Sequence, residues 1–310
     1  MSSLSELFVI LTDIILPIFV LIAIGYTMQK KFRMDLTTLA RLNIYFIVPG
    51  FMFVTLYTTE FSGMLFARVV FFFIVFVFIL YFISLFIARF LKMDKDKRTI
   101  FSNSVMFFNS GNYGVPVNEL VFHGDPYAMS IQVIVMAFQN IFLFSYGVFS
   151  LRSAKSGRMV AALSYFRMPV LYALLGGVIL NAFQVPLPEF IWVPANYIRD
   201  SMISIALLTL GAQVAQIKII SGLSSIYYSL LIRLIGGPLV ALGMIYVLGL
   251  DGITAKALFV ASSMPTSVNS AVIAQEYSDY PHYAAQIVLF STLTSAITVT
   301  FVIFLARVLF

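Results

Sequence analysis

Residues Asn109-Ser110-Gly111-Asn112-Tyr113-Gly114-Val115-Pro116-Val117 interrupt an otherwise apolar stretch long enough to cross a membrane. Ser262-Ser263-Met264-Pro265-Thr266-Ser267-Val268-Asn269-Ser270 form a second interruption of the same kind. Hydrocarbon offers a backbone no hydrogen-bond partners, so a spanning helix must satisfy its own amides and carbonyls. Glycine, proline and asparagine are poor material for that, and Pro116 removes a donor and disfavours helix at Val115. Both segments are therefore predicted to unwind, which persists at membrane depth only against protein or a water-filled cavity. If the two breaks cross, two half-helix N-termini converge there, each carrying about half a positive elementary charge and free N–H groups. That arrangement suits a carboxylate, even without a buried arginine. The chemistry is recognition rather than bond making. The chain has no cysteine, its two histidines, His123 and His282, fall at span ends, and no nucleophile–base or metal-ligand set appears. The simpler reading of both prolines is a pair of kinks that help helices pack.

The elements that must position these residues follow from composition. Of 310 residues, 61% are apolar and only 10% charged, against roughly 25% charged in a soluble domain. This is a polytopic membrane protein, and no cleavable signal is evident at its N-terminus. At about 20 residues per span, ten helices are predicted, near 7–28, 37–58, 64–91, 98–122, 126–150, 161–183, 195–217, 224–249, 253–276 and 282–307. The net charge of +6 sits in short loops and reads as a topology signal rather than a nucleic-acid surface. Lys30, Lys31, Arg33, Arg41, Arg89, Lys92, Lys95, Lys97, Arg98, Arg152, Lys155, Arg158, Arg167 and Lys218 cluster at the odd-numbered loops. Arg68, Arg199, Lys256 and Arg307 lie on the other side. The odd loops are expected in the cytoplasm and both termini outside it, in a plasma (bacterial inner) membrane.

The halves look like copies. Pro17 and Gly25 recur at the same spacing as Pro169 and Gly177, and Asn112 and Glu119 as Asn269 and Glu276. An odd number of spans per copy means an inverted repeat, residues 1–155 against 156–310. Interrupted helices at matching places in such repeats point to a transporter's binding site.

Asn109 to Gly124 (NSGNYGVPVNELVFHG) and Met264 to Tyr277 (MPTSVNSAVIAQEY) resemble the auxin efflux carrier family, over essentially the whole chain. The family includes plant auxin exporters and bacterial carriers assigned to malate or malonate. The resemblance implies an elevator-type homodimeric carrier, with spans 1, 2, 6 and 7 as scaffold and spans 3–5 with 8–10 as the moving part. The chain departs from the plant pattern at Ser270, where a second proline is expected, and at Met64 and Arg68, where an acid and a lysine are expected. It also lacks the long hydrophilic loop between spans 5 and 6. Those departures speak against auxin itself as the cargo.

The expected substrate-binding set is Asn109, Gly111, Asn112, Gly114, Pro116, Pro265, Thr266, Ser267, Asn269 and Ser270, with no cofactor or metal. Glu119 is a costly intramembrane carboxylate unless paired or wet; Arg68 is its candidate partner, and two solvated boundary residues are the alternative. Gln132 and Gln139 share one helix face, beside the cavity or as glue between helices. Asp13 and Arg233 are intramembrane charges, functional or snorkelling to an interface. Ser291, Ser295 and Thr298 form a stripe better suited to packing than to ion ligation. The predicted function is secondary transport of a small organic anion, with sodium or a proton left open as coupling ion. No ATP-binding motif is present. A sodium–proton antiporter or an ion-coupled carrier of a non-carboxylate substrate is the alternative. An antiporter is expected to place carboxylates where Asn112 and Asn269 stand.

Overall fold

The computed structural model describes residues 3–59, 63–152, 169–217 and 225–310. Lys155, Arg158, Arg167 and Lys218 of the topology argument lie outside them. The described residues form helices joined by short connections. In chain order they are α1 (Leu4–Phe32), α2 (Leu36–Thr58), α3 (Gly63–Phe90), α4 (Lys95–Met106), α5 (Gly114–Phe122) and α6 (Pro126–Leu151). Then come α7 (Pro169–Ala182), α8 (Glu189–Ala215), α9 (Ser225–Val247), α10 (Gly252–Ser262), α11 (Val268–Tyr277) and α12 (Pro281–Leu309). Among the described residues seven, α1, α2, α3, α6, α8, α9 and α12, are long and apolar enough to cross a membrane. Phe71, Phe78, Phe82, Phe86 and Phe90 of α3 are exposed. Such an apolar outer face is the signature of a chain solvated by lipid.

Proline shapes several of these helices. Each of Pro17, Pro49 and Pro238 follows a π-helical turn, Leu11–Ile15, Asn43–Ile47 and Ile232–Gly236 respectively. A proline ring clashes with the carbonyl four residues back and leaves it without its usual donor. The wider π turn absorbs that clash while the helix continues. α8 carries Pro194 near its N-terminal end and starts at Glu189, earlier than predicted, after Pro188.

α1 lies along α8, and α2 along α7 and α8. Glycines permit the approach: a Cβ on Gly25 would strike the Leu208 carbonyl, and one on Gly211 the Ile22 carbonyl. Small residues at such contacts let backbones close in where lipid gives no hydrophobic drive for association. Elsewhere α3 packs on α4 and α6, and α10 on α6, α9 and α12.

Candidate functional site

The two predicted interruptions are present, at 107–113 between α4 and α5 and at 263–267 between α10 and α11. The first lies ahead of Pro116 rather than around it. Pro116 is in the first turn of α5 and Val115 is helical. An amide in the first turn has no intrahelical acceptor, so proline costs little there.

The breaks satisfy much of each other's backbone. Phe108 and Thr266 form an antiparallel bridge. On either side of it, Asn109 N–H donates to the Pro265 carbonyl at 2.7 Å and Ser267 N–H to the Phe107 carbonyl at 2.8 Å. Thr266 N–H donates to Ser291 Oγ at 2.9 Å, and Thr266 Oγ1 to the Ser104 carbonyl at 2.9 Å. Within the first break, Gly114 N–H returns to the Asn109 carbonyl at 2.9 Å. Gln132 Nε2 of α6 holds the Ser110 carbonyl at 2.6 Å. Ser295 donates to the Tyr113 hydroxyl at 3.1 Å. Ser291 and Ser295 of the stripe on α12 thus brace both breaks, a packing role, while Thr298 Oγ1 is buried without a partner.

A pocket of about 640 Å³, its mouth included, lies on one side of this crossing. From the expected set it brings together Asn109, Gly111, Asn112, Ser267 and Asn269. Gly114, Pro116, Pro265, Thr266 and Ser270 do not line it; they build the backbone behind it. Asn109 is 5% exposed, and its Nδ2 donor has no partner. Asn112 Oδ1 accepts from Asn43 Nδ2 at 3.1 Å. Gln132 stands behind the first break, while Gln139, 2% exposed, leaves both side-chain polar atoms unpartnered. Buried polar groups without partners are costly, so their presence marks a place for water or ligand.

Several lining residues escaped the sequence reading. Asn43, Thr209 and Gln213 come from α2 and α8, and Asn140 from α6. Asn43 lies in a π turn ahead of Pro49, a conformation common at functional sites. That proline is the signal that could have drawn attention to it.

Of the charged candidates, Asp13 is exposed and accepts from Thr12 Oγ1 at 2.8 Å. Arg68 is exposed and makes no ion pair with Glu119. Glu119 instead faces a separate cavity of about 910 Å³, shared with Arg199 and Asp200 beside Thr58 and Thr59. Arg233 does not snorkel. It is fully buried, and its guanidinium donates to the Val105 carbonyl at 3.1 Å and to the Ser262 carbonyl. It also lies over the rings of Phe76 and Phe108, at 5.5 and 4.9 Å from their centroids. A buried arginine therefore stands at the crossing, bonded to the ends of α4 and α10.

Comparison with known proteins agrees with this picture. The family model described as "Membrane transport protein" matches residues 10–162 and 155–303. An "Uncharacterized transporter" of Methanothermobacter thermautotrophicus is 24% identical over 303 residues, covering 93% of this chain and 95% of the relative. "Auxin efflux carrier component 6" of Arabidopsis thaliana is 30% identical over 114 residues, 36% of this chain and 20% of the plant protein.

Proposed function

Because the chain belongs to the membrane transport protein family, that of the auxin efflux carriers, we propose that it is a secondary carrier of small organic anions. The carboxylate binds in the pocket between the two breaks, against Asn109, Asn112, Ser267 and Asn269. The observation that carries this reading is the pocket's lining: amide and hydroxyl groups beside two half-helix N-termini, with no ionisable side chain among the described residues. A carboxylate could accept from the unpartnered Asn109 Nδ2 and from the first amides of α11. α5 contributes only its dipole, because the Gly114 and Val115 amides already donate to the Asn109 and Gly111 carbonyls. Without a carboxylate of its own, the lining gives a sodium–proton antiporter nothing to titrate.

The transport cycle we infer is of the elevator type. α4 with α5 and α10 with α11 each count as one crossing, which makes ten spans in two inverted repeats, residues 1–155 and 156–310. In support, Gly25 closes on α8 as its counterpart Gly177 closes on Phe53 of α2. α1, α2, α7 and α8 then serve as scaffold, and the remaining helices carry the site. The basic loops put both termini outside the cytoplasm of a plasma membrane, and the scaffold suits a homodimer. Gln213 lines both the pocket and a second cavity, which reaches Leu36, Pro281 and His282 on the basic-loop side. The Glu119 cavity on the opposite side shares no lining residue with the pocket. The conformation is accordingly read as open inward.

Thermal stability of the purified protein, measured against a panel of small carboxylates with and without sodium and across pH, tests the site. A ligand at a hundred times its dissociation constant stabilises the native state by about 2.7 kcal/mol. The shift is expected in the wild type and lost in Asn112→Ala and Asn269→Ala. Its sodium or pH dependence would identify the coupling ion. A panel in which only cations shift the wild type would return the antiporter.

A further inference from the structure

Four half-helix ends meet at the crossing, and their charges do not by themselves favour an anion. The C-termini of α4 and α10 each present about half a negative charge, and the N-termini of α5 and α11 about half a positive one. Taken together the four ends sum to about zero. Arg233 changes the balance. Its guanidinium is bonded to carbonyls in the last turn of α4 and of α10, at Val105 and Ser262, the two negative ends. Among the described residues it forms no ion pair, so no carboxylate cancels it. With the negative ends neutralised, the positive ends of α5 and α11 are left as the surplus beside the pocket.

The separation between arginine and pocket is one residue deep. Phe108 lines the pocket, and its ring, like that of Phe76, lies under the guanidinium. Arg233 does not itself line the pocket, which leaves its field as the route by which it can reach a bound ligand. The surroundings also hold it in place. It sits in the π turn ahead of Pro238, and a Cβ on Gly237 would come within 2.9 Å of its terminal nitrogen.

We infer that Arg233 is the charge-selecting residue of the carrier: a fixed internal cation that neutralises two half-helix C-termini and makes the crossing attract anions. This rests on the reading of the pocket as an anion site. It adds that selectivity for negative charge comes from behind the site, through a residue no substrate contacts. It also means that the carbonyl ends of α4 and α10, where an exchangeable cation would otherwise sit, are already occupied.

A ladder of near-isosteric ligands separates charge from shape: malonate, malonamate and malonamide carry two, one and no negative charges on frames of equal size. If another carboxylate gives the wild-type shift, that compound and its amides serve instead. Dissociation constants are measured on the purified wild type, Arg233→Gln and Arg233→Lys. In the wild type each added charge is expected to strengthen binding. In Arg233→Gln the gain per charge falls by on the order of tenfold, the scale of one unit charge about 10 Å away at an effective dielectric of about 20. Arg233→Lys keeps the ladder while losing stability, because an ammonium cannot match the flat, forked guanidinium across two carbonyls and a ring. If Arg233→Gln weakens all three ligands equally, or none, the arginine is only a clamp and the inference falls while the anion site stands. Should Arg233→Gln not fold, a flattened ladder in Arg233→Lys would overturn it equally. If no carboxylate binds the wild type, the site reading has failed and this inference with it.

Discussion

The two sides of the crossing are built from different side chains. Towards the pocket amides predominate, Asn43, Asn109, Asn112, Asn140, Gln213 and Asn269, beside the hydroxyls of Ser110, Thr209 and Ser267. Behind it stand hydroxyls and the arginine: Ser104, Ser229, Ser262, Thr266, Ser291 and Arg233. The hydroxyls close short bonds to nearby groups, such as Ser262 to the Phe259 carbonyl at 2.7 Å and Ser104 to Ser229 at 2.7 Å. The amides reach further and leave donors or acceptors over, as at Asn109 Nδ2 and Asn43 Oδ1. Short side chains that bond locally stabilise an unwound backbone; longer amides held apart make a surface that can bind something else. One face of the crossing therefore holds the structure together, and the other is left incomplete.

Breaking the rear face should cost the most. Ser291→Ala leaves the buried Thr266 amide without its acceptor, and a loss of about 2 kcal/mol is expected in unfolding of the purified protein. A change within 0.5 kcal/mol would mean that the rear face is not what holds the breaks. Gln139, buried in α6 outside the pocket lining, should respond with the opposite sign. Gln139→Leu removes a buried amide with no partner and should stabilise the ligand-free protein by about 1 kcal/mol. A clear destabilisation would place water or ligand on Gln139 instead.

The smallest effect is expected at the rim. α4 carries opposite charges at its two ends: Arg233 at the last turn and Asp94 as N-cap, which accepts from Lys97 N–H at 2.9 Å. Hydrogen bonding from the Lys97 amide, helped by the Tyr280 hydroxyl at 3.0 Å, holds the Asp94 carboxyl below its ordinary pKa. A carboxylate with a lowered folded pKa stabilises above its unfolded value and loses that contribution as pH falls through the folded one. Asp94→Ala should cost about 0.5–1 kcal/mol at neutral pH. The difference from wild type should shrink as pH drops below about 4, read from melting curves across pH. A gap that stayed constant down to pH ~3 would detach the effect from the carboxylate.

Much of the site was legible because breaks in apolar stretches are local events. Gly111, Gly114 and Pro265 announce unwound backbone from sequence alone, since no partner elsewhere in the chain is needed to make them poor helix formers in lipid. Asn112 and Asn269 could be paired through the matching spacing to Glu119 and Glu276. Asn43 and Gln213 could not be found that way. They sit in uninterrupted helices, and what recruits them is the packing of α2 and α8 against the breaks. Arg68 and Glu119 illustrate the reverse error. Both are charged and expected on the same side, yet Arg68 is exposed while Glu119 faces the cavity it shares with Arg199 and Asp200, and hydropathy does not report which face of a helix a charge takes.

Sequence by itself determined the solvent of this protein, the places where its helices must end, and the polar residues beside those ends. Each follows from composition or from a neighbour within a few positions. Only the tertiary structure decided that the two breaks bond to one another through Asn109, Pro265, Phe107 and Ser267. It alone set Arg233 on the negative ends of α4 and α10 rather than at an interface. The reason is distance along the chain. Arg233 lies 128 residues from Val105 and 29 from Ser262, and a contact of that kind exists only once the helices have packed.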